Sequence, residues 1–407
     1  MAEELADQPD RTAEELADQP DRTAEEFTFT DEQNQLRAGV RAFCAEYLDE
    51  AAVRASMTAD PPFDPKVWKR LGSELGVLGL AVPEPVGGAG GTLVDQAVAV
   101  EELGAALACG PLFGTVYLAI PALVAASADG DLLAPLLDGV RTAALAAGDV
   151  AGEFDAAAVT VAAAQAGGRW ALTGTVSQVV DAGAADMLLV AAKGPDGVGL
   201  YAVDADQSAV QRISLATLDL TRPQATVELR EATGLLIAGP DEADRVITQA
   251  LRVGAALLAV EQVGAAQHLL DLSVDYAKNR LQFGRPIGSF QAVKHRLADD
   301  LVALEHARST AYHAIWALND GSDDPALAVS IAQATCSAAL VRVATDTIQV
   351  HGGIGFTWEH QAHLYYKRAY ADAALLGTAE QHRARVGAMV LDAPAKDAPR
   401  VATGMPL

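Results

Sequence analysis

Cysteine and cationic side chains are the scarce components of this sequence. Its 407 residues include three cysteines, Cys44, Cys109 and Cys336. They are odd in number and far apart, which supports neither a disulfide framework nor a metal site and fits reduced thiols in a cytoplasm. Lys and Arg number 29 against 54 Asp and Glu, a formal net charge of -25. A surface of that sign argues against nucleic acid as a partner. It also means that an anionic ligand must be met by a local concentration of positive charge. No charge-free run of about twenty apolar residues occurs, so a membrane span is not expected. The N-terminal stretch is acidic and has no apolar segment, so a secretory signal is not expected either.

Apolar side chains are plentiful: hydrophobic residues make up 51% of the chain, enough for large cores. The length exceeds one typical core and implies two or three packed regions. Residues 2–12, AEELADQPDRT, recur identically at 13–23. The unit is too short to bury a face as a solenoid repeat does, and its acidic, proline-containing composition predicts a disordered tail. From Phe27 to about Ala143 the pattern is helical. Thr30 or Asp31 caps a helix through Phe43 and Tyr47. A second helix carries Val67, Trp68, Leu71 and Leu75, and a third carries Val98, Glu101, Glu102 and Leu103. The glycines between them, Gly87 to Gly91, read as a turn.

Near Thr142 the period changes. Val159–Val161, Trp170–Thr173, Met187–Ala191, Leu200–Val203 and Ala225–Leu229 are short apolar or alternating runs, separated by Gly167-Gly168, Gly174, Pro195-Asp196-Gly197 and Arg222-Pro223. They predict a small antiparallel β domain. From about Asp241 long helices return until about Ala393. The expected division is a tail over 1–26, a helical domain over 27–143, a β domain over 144–240, a helical bundle over 241–393 and a second tail over 394–407.

The first helix of the last region runs from about Leu251 to Arg280. Apolar residues on nearly every face of its first half mean burial among other helices, and Gly284 and Pro286 follow its end. Arg280-x-x-Phe283-Gly284 and then Phe290-Gln291 resemble the acyl-CoA dehydrogenase family, flavoproteins that desaturate acyl-CoA thioesters. Gln349-Val350-His351-Gly352-Gly353-Ile354-Gly355-Phe356 resembles the family's Gln-x-x-Gly-Gly-x-Gly-Phe motif. Val82-Pro83-Glu84 with the glycines after it, then Glu101-Glu102-Leu103-Gly104, resembles its N-terminal domain. The resemblance covers roughly Phe27 to Val390. It implies an α+β, mainly α fold: an N-terminal helical domain, a middle antiparallel β domain and a C-terminal four-helix bundle. It also implies FAD as cofactor, an acyl-CoA substrate and an electron-transfer flavoprotein as acceptor.

In the family, Arg280, Phe283, Gln291, Gln349, Gly352 and Gly353 correspond to residues that reach across an interface to a neighbouring subunit's FAD. Glycines let backbone approach a pyrophosphate, and an arginine supplies a fixed cation with fork geometry. Thr378 ends the family's Tyr-Glu-Gly-Thr segment and is the remaining cofactor-side candidate.

The base is missing. Removing the α-proton of a thioester needs a positioned carboxylate in a dry pocket. The family's catalytic glutamate falls on Leu376, and the position used instead by some members falls on Gly254. Glu261, two turns beyond Gly254, is a candidate displaced base, although a glutamate in that helix reads first as a buried or interface contact. Glu380 reads as solvated or cofactor-facing. The flavin-ring cradle is eroded as well. Ala146 to Glu153 lacks the Pro-x-x-Gly-Ser arrangement, and Gln178-Val179-Val180 lacks the stacking aromatic and the hydroxyl. Gly183-x-Ala185-Asp186 still matches.

Residues lent to a neighbour are kept, and residues a subunit uses for itself are lost. The sequence therefore implies the non-catalytic partner in a heterotetrameric acyl-CoA dehydrogenase, for a bulky acyl group such as a sterol side chain. The alternatives are a self-sufficient homotetramer with a displaced base and a cofactor-free scaffold on the same fold.

Overall fold

The computed structural model describes residues 28–321 and 323–391. The duplicated segment and the second tail lie outside the described residues. The N-terminal helices are α1 (Asp31–Tyr47), α2 (Glu50–Ser56), α3 (Pro65–Ser73), α4 (Leu93–Ala105), α5 (Ile120–Ala125) and α6 (Gly130–Leu137), with a π-helical stretch over Leu112–Ala119 feeding α5. Thr30 caps α1 reciprocally: its Oγ1 accepts from Gln33 N at 3.2 Å, and Gln33 Oε1 accepts from Thr30 N at 3.1 Å.

The middle region has β1 (Ala143–Ala146), β2 (Asp149–Val150), β3 (Glu153–Phe154), β4 (Ala162–Ala166), β5 (Arg169–Val180), β6 (Met187–Gly194), β7 (Gly197–Asp204), β8 (Val210–Ser214) and β9 (Gln224–Ala238). Strands pair in the ring β6–β4–β5–β9–β7–β6, with β1 added on β6 and β8 on β9. The ring encloses a small apolar core that includes Leu172, Leu188, Val190, Val203, Val227 and Leu229. The sheet is mixed where the pattern predicts it antiparallel, because β1 and β4 pair parallel to β6. Strand β1 arrives from α6 rather than from a hairpin, so nothing forces it antiparallel. The run Val159–Val161 precedes strand β4, which begins only at Ala162.

The C-terminal region holds α7 (Ala243–Asn279), the two-residue strands β10 (Leu281–Gln282) and β11 (Arg285–Pro286), α8 (Gln291–Asp320), α9 (Pro325–His351), α10 (Ala362–Asp372) and α11 (Ala379–Leu391). Helices α7, α8 and α9 pack on one another and α11 packs on α9, which makes the four-helix bundle. Helix α7 also crosses α4 at backbone distance. A Cβ on Gly264 would lie 1.9 Å from Glu101 O, and one on Gly104 would lie 2.4 Å from Glu261 O, so only glycine permits the crossing. Two helical stretches, Ala243–Asn279 and Pro325–Phe356, are long and apolar enough to cross a membrane, and 83% and 61% of their apolar windows are buried inside the fold.

Candidate functional site

Two places carry the residues singled out by sequence. The first is the end of the bundle where α7 stops. Tyr276 on α7 stacks on His351 at the end of α9, with ring centroids 4.4 Å apart. Arg280 is one turn beyond Tyr276, and Gly352 and Gly353 follow His351, so the two motifs share one face. Ile287 N donates to Arg280 O at 2.8 Å, which folds the β10–β11 turn back and sets Phe290 and Gln291 beside it. Phe283 stands 91% exposed with its ring 6.1 Å from that of Phe290. Arg280, Gln291, Gln349, Gly352 and Gly353 are exposed too, and a Cβ on either glycine would meet nothing within 4 Å. No side chain caps the N-terminus of α8. Free backbone N–H groups, a guanidinium and open backbone lie together here, the donors and positive charge that an anion requires on an acidic chain. This surface fits the phosphate end of a dinucleotide. Ile354, Phe356 and Trp358 extend it with exposed apolar area.

The second place is a cleft of about 470 Å³ between the β region and the helices, bordered by Phe113, Leu118, Gln178, Leu251 and Leu376. Leu376 is buried and sits at φ 54°, in a turn after α10. Gly254 lies behind the wall: a Cβ there would meet Leu118 Cδ2 at 2.5 Å, so no carboxylate fits without displacing Leu118. Asp149 is the one carboxylate among the described residues that line the cleft, a feature the sequence reading did not single out. Asp149 is exposed at its outer face, yet the protein crowding its carboxyl raises its pKa, against hydrogen bonds from the amides of Gly152 and of Asp149 itself.

The short hairpin β2–β3 closes one end of this cleft. A Cβ on Gly152 would lie 1.9 Å from Leu376 O, and one on Gly377 would lie 2.4 Å from Ala151 O. Arg385 on α11 donates to Ala151 O at 2.9 Å and pairs with Glu153 at 3.1 Å. His382 Nε2 donates to Leu376 O at 2.9 Å, and its Nδ1 accepts from Arg385 at 3.1 Å. Gln178 and Val180 stand where the family has its stacking aromatic and its hydroxyl, so the cleft lacks those two contacts for an isoalloxazine ring, the hydroxyls of its lining coming instead from Thr160, Thr175 and Ser177. Thr378 serves as the N-cap of α11, its Oγ1 accepting from Gln381 N at 3.3 Å and its N–H donating to Gln381 Oε1 at 2.8 Å. Glu380 is exposed and pairs with Arg383 at 3.4 Å.

Glu261 faces neither place. Its Oε1 lies 2.6 Å from both Arg222 Nη2 and Arg368 Nη1, and Tyr117 Oη donates to its Oε2 at 2.9 Å. Burial alone would raise its pKa, but the two guanidiniums overcome that and hold the carboxylate well below its usual range. A group so ionised and so fully engaged cannot act as a displaced base. Arg222 also donates to Asp372 at 2.7 Å and Arg368 to Asp219 at 2.9 Å. Sequence reasoning missed this cluster and took Arg222-Pro223 only as a separator between strands.

The architecture is thus that of a helical domain, a β barrel and a four-helix bundle around one lateral cleft. Family profiles match in the same order: acyl-CoA dehydrogenase, N-terminal domain, over residues 30–129, and acyl-CoA dehydrogenase, C-terminal domain, over residues 245–391. The acyl-CoA dehydrogenase IpdE2 of Mycobacterium tuberculosis is 36% identical over 367 residues, covering 89% of this chain and 99% of that protein. Among solved structures, the Tcur3481–Tcur3483 steroid ACAD superposes with a TM-score of 0.77 at 32% identity, over 88% of this chain and 96% of that one. The ChsE4–ChsE5 complex from Mycobacterium tuberculosis gives a TM-score of 0.80 at 29% identity, over 91% and 100%. The chain belongs to the acyl-CoA dehydrogenase family.

Proposed function

We propose that this chain is the non-catalytic subunit of a hetero-oligomeric, FAD-dependent acyl-CoA dehydrogenase. One observation carries the reading. Arg280, Phe283, Gln291, Gln349, Gly352 and Gly353 gather on an exposed face able to hold a dinucleotide's phosphates. The chain's own cleft meanwhile presents Leu376 where a base is needed. A homologous subunit would supply the base and the ring cradle, and the cofactor would lie at the shared interface. This chain's part is binding and placement: Arg280 and the α8 N-terminus neutralise the pyrophosphate, Gly352 and Gly353 let backbone approach it, and Phe283 covers its edge. FAD supplies the redox capacity when bound. The exposed apolar area at Ile354, Phe356 and Trp358 suits burial against that partner.

The substrate class we infer is a bulky acyl-CoA such as a steroid side-chain ester. A similar structure named a steroid ACAD supports this, and the two-protein complex among the similar structures supports the pairing. An electron-transfer flavoprotein as acceptor and a cytoplasmic location complete the reading. The test is co-expression with a homologous acyl-CoA dehydrogenase that has the catalytic glutamate. The pair should copurify, be yellow and turn over acyl-CoA, while this chain alone stays colourless.

A self-sufficient enzyme is the second reading, and Asp149 is the observation that favours it. Turnover by the isolated chain, lost in Asp149→Asn, would establish it.

A further inference from the structure

The cluster around Glu261 contains one carboxylate too many. Arg222 and Arg368 face Asp219, Glu261 and Asp372, and all five side chains are at most 5% exposed. Fully ionised, two cations would be enclosed with three anions. The surplus can be located. Both oxygens of Glu261 are engaged, and Asp219 takes Arg368 on one oxygen and both the N–H and the hydroxyl of Thr221 on the other, at 2.9 and 2.6 Å. Asp372 accepts from Arg222 on Oδ1 alone, and its Oδ2 is buried with no partner. An ionised carboxylate with one bare oxygen in that position costs several kcal/mol of lost hydration. A neutral carboxylic acid still leaves that oxygen unpaired, but without a buried charge its penalty is much smaller.

The members come from four separate parts of the chain. Asp219, Thr221 and Arg222 lie between β8 and β9, Tyr117 on the π-helical stretch, Glu261 on α7, and Arg368 and Asp372 on α10. Arg222 also lies over the ring of Phe113 at 5.2 Å. The cluster therefore pins all three structural regions together. Asp372 ends α10, and the turn that follows places Leu376 in the cleft wall. Two other buried carboxylates of the helical core show the opposite balance. Glu101 and Glu102 face three guanidiniums, Arg37, Arg41 and Arg308, whose outer ends reach solvent.

We propose that Asp372 is held as the neutral acid and that its proton is the pin of a clasp joining the three regions beside the cleft. Losing that proton encloses an uncompensated negative charge and frees the turn that carries Leu376. The charged and titratable groups around it are Arg222 and Asp219 from the β8–β9 connection, Glu261 from α7, and Arg368 from its own helix. Tyr117 sits beyond Glu261, and Cys109 faces Arg368. Asp181 lies after β5 and accepts from Gly114 N at 2.8 Å. Burial, more than Arg222 relieves, raises Asp372 to about 7, and burial raises Asp181 to about 6. For a carboxyl whose folded-state pKa is raised, the stabilisation is complete below its unfolded value and is lost as pH rises toward the folded one. The window here runs from about 4 to about 7.

The test is urea unfolding of the full chain across that window, with Asp372→Asn beside the wild type. Asparagine keeps the shape and the neutral state. In the wild type, Asp372 makes the unfolding constant rise by up to about tenfold per pH unit as pH rises. Asp372→Asn should fold and flatten this slope by that amount, and should be the more stable of the two above pH 7. Asp300→Asn is the control, since burial and Asp346 raise Asp300 to about 7 at a different place, between α8 and α9. It should flatten its own share of the slope. It should not change hydrogen-exchange protection at Leu375–Thr378, which in the wild type should fall above pH 7 and in Asp372→Asn should not. A second readout does not depend on stability: the infrared carbonyl absorption of protonated carboxyls at pH 6, to which Asp300 and Asp181 also contribute, should lose one component in Asp372→Asn that Asp300→Asn retains. An unchanged slope together with an unchanged band would overturn the proposal.

Discussion

The exposed end of the bundle and the cleft beneath Leu376 both border helix α7, yet they have gone opposite ways. At the bundle end the residues singled out by sequence are exposed: the Arg280 guanidinium makes no hydrogen bond or ion pair with another described residue, its backbone alone bonding to Tyr276 and Ile287. Beside the cleft, Asp149 apart, charged and hydrogen-bonding groups of the neighbouring elements are engaged within the fold. Glu261 is locked between two arginines, Thr378 caps a helix, and Arg385 and His382 tie the β2–β3 hairpin to the Leu376 turn. A site awaiting a ligand keeps its donors free, whereas a site turned into structure satisfies them. That difference is the physical basis for reading the chain as a giver of contacts to another subunit's cofactor.

Substitutions at the two places should therefore fail in different ways. The largest effect is expected for Glu261→Ala, which leaves Arg222 and Arg368 buried without their shared carboxylate. Its cost should be about 3–5 kcal/mol in urea unfolding of the lone chain. A loss under about 1 kcal/mol would mean that the cluster is not a structural core. Next is Arg280→Ala. It should weaken flavin retention by the assembled complex about 10- to 100-fold, the worth of a charge-assisted hydrogen bond, while the lone chain's unfolding midpoint stays put. A drop in midpoint without flavin loss would reverse its assignment.

Thr378→Ala probes the boundary between the two kinds of site. As a lost N-cap it should cost about 1 kcal/mol and leave flavin content unchanged. Flavin loss instead would restore its role beside the cofactor. Smallest of all is Arg41→Ala. Its side chain is 68% exposed although it pairs with Glu102 at 2.8 Å, so less than about 1 kcal/mol is expected from thermal or urea melts.

Much of the bundle end was legible in the sequence because its signals are local. A helix apolar on all faces, a stop after Arg280 and a glycine pair after His351 each lie within a few residues. That a leucine, Leu376, occupies the family's base position was legible for the same reason, and the structure puts it in the cleft wall. The buried cluster was not, since Arg222 meets Glu261 across 39 positions and Asp372 across 150, and charge in a loop gives no sign of being enclosed. The hairpin latch was hidden likewise: Arg385 reaches Ala151 across 234 positions. The parallel pairing of β1 escaped the pattern because apolar alternation fixes a strand's faces, not its direction.

The contrast comes to a head in one quantity, the ratio of flavin to polypeptide in this chain purified alone and again with its homologous partner. The account predicts essentially no flavin in the lone chain and one FAD for each pair of unlike subunits. Full flavin occupancy of the lone chain, with the ring bound in the cleft beside Leu376, would contradict it.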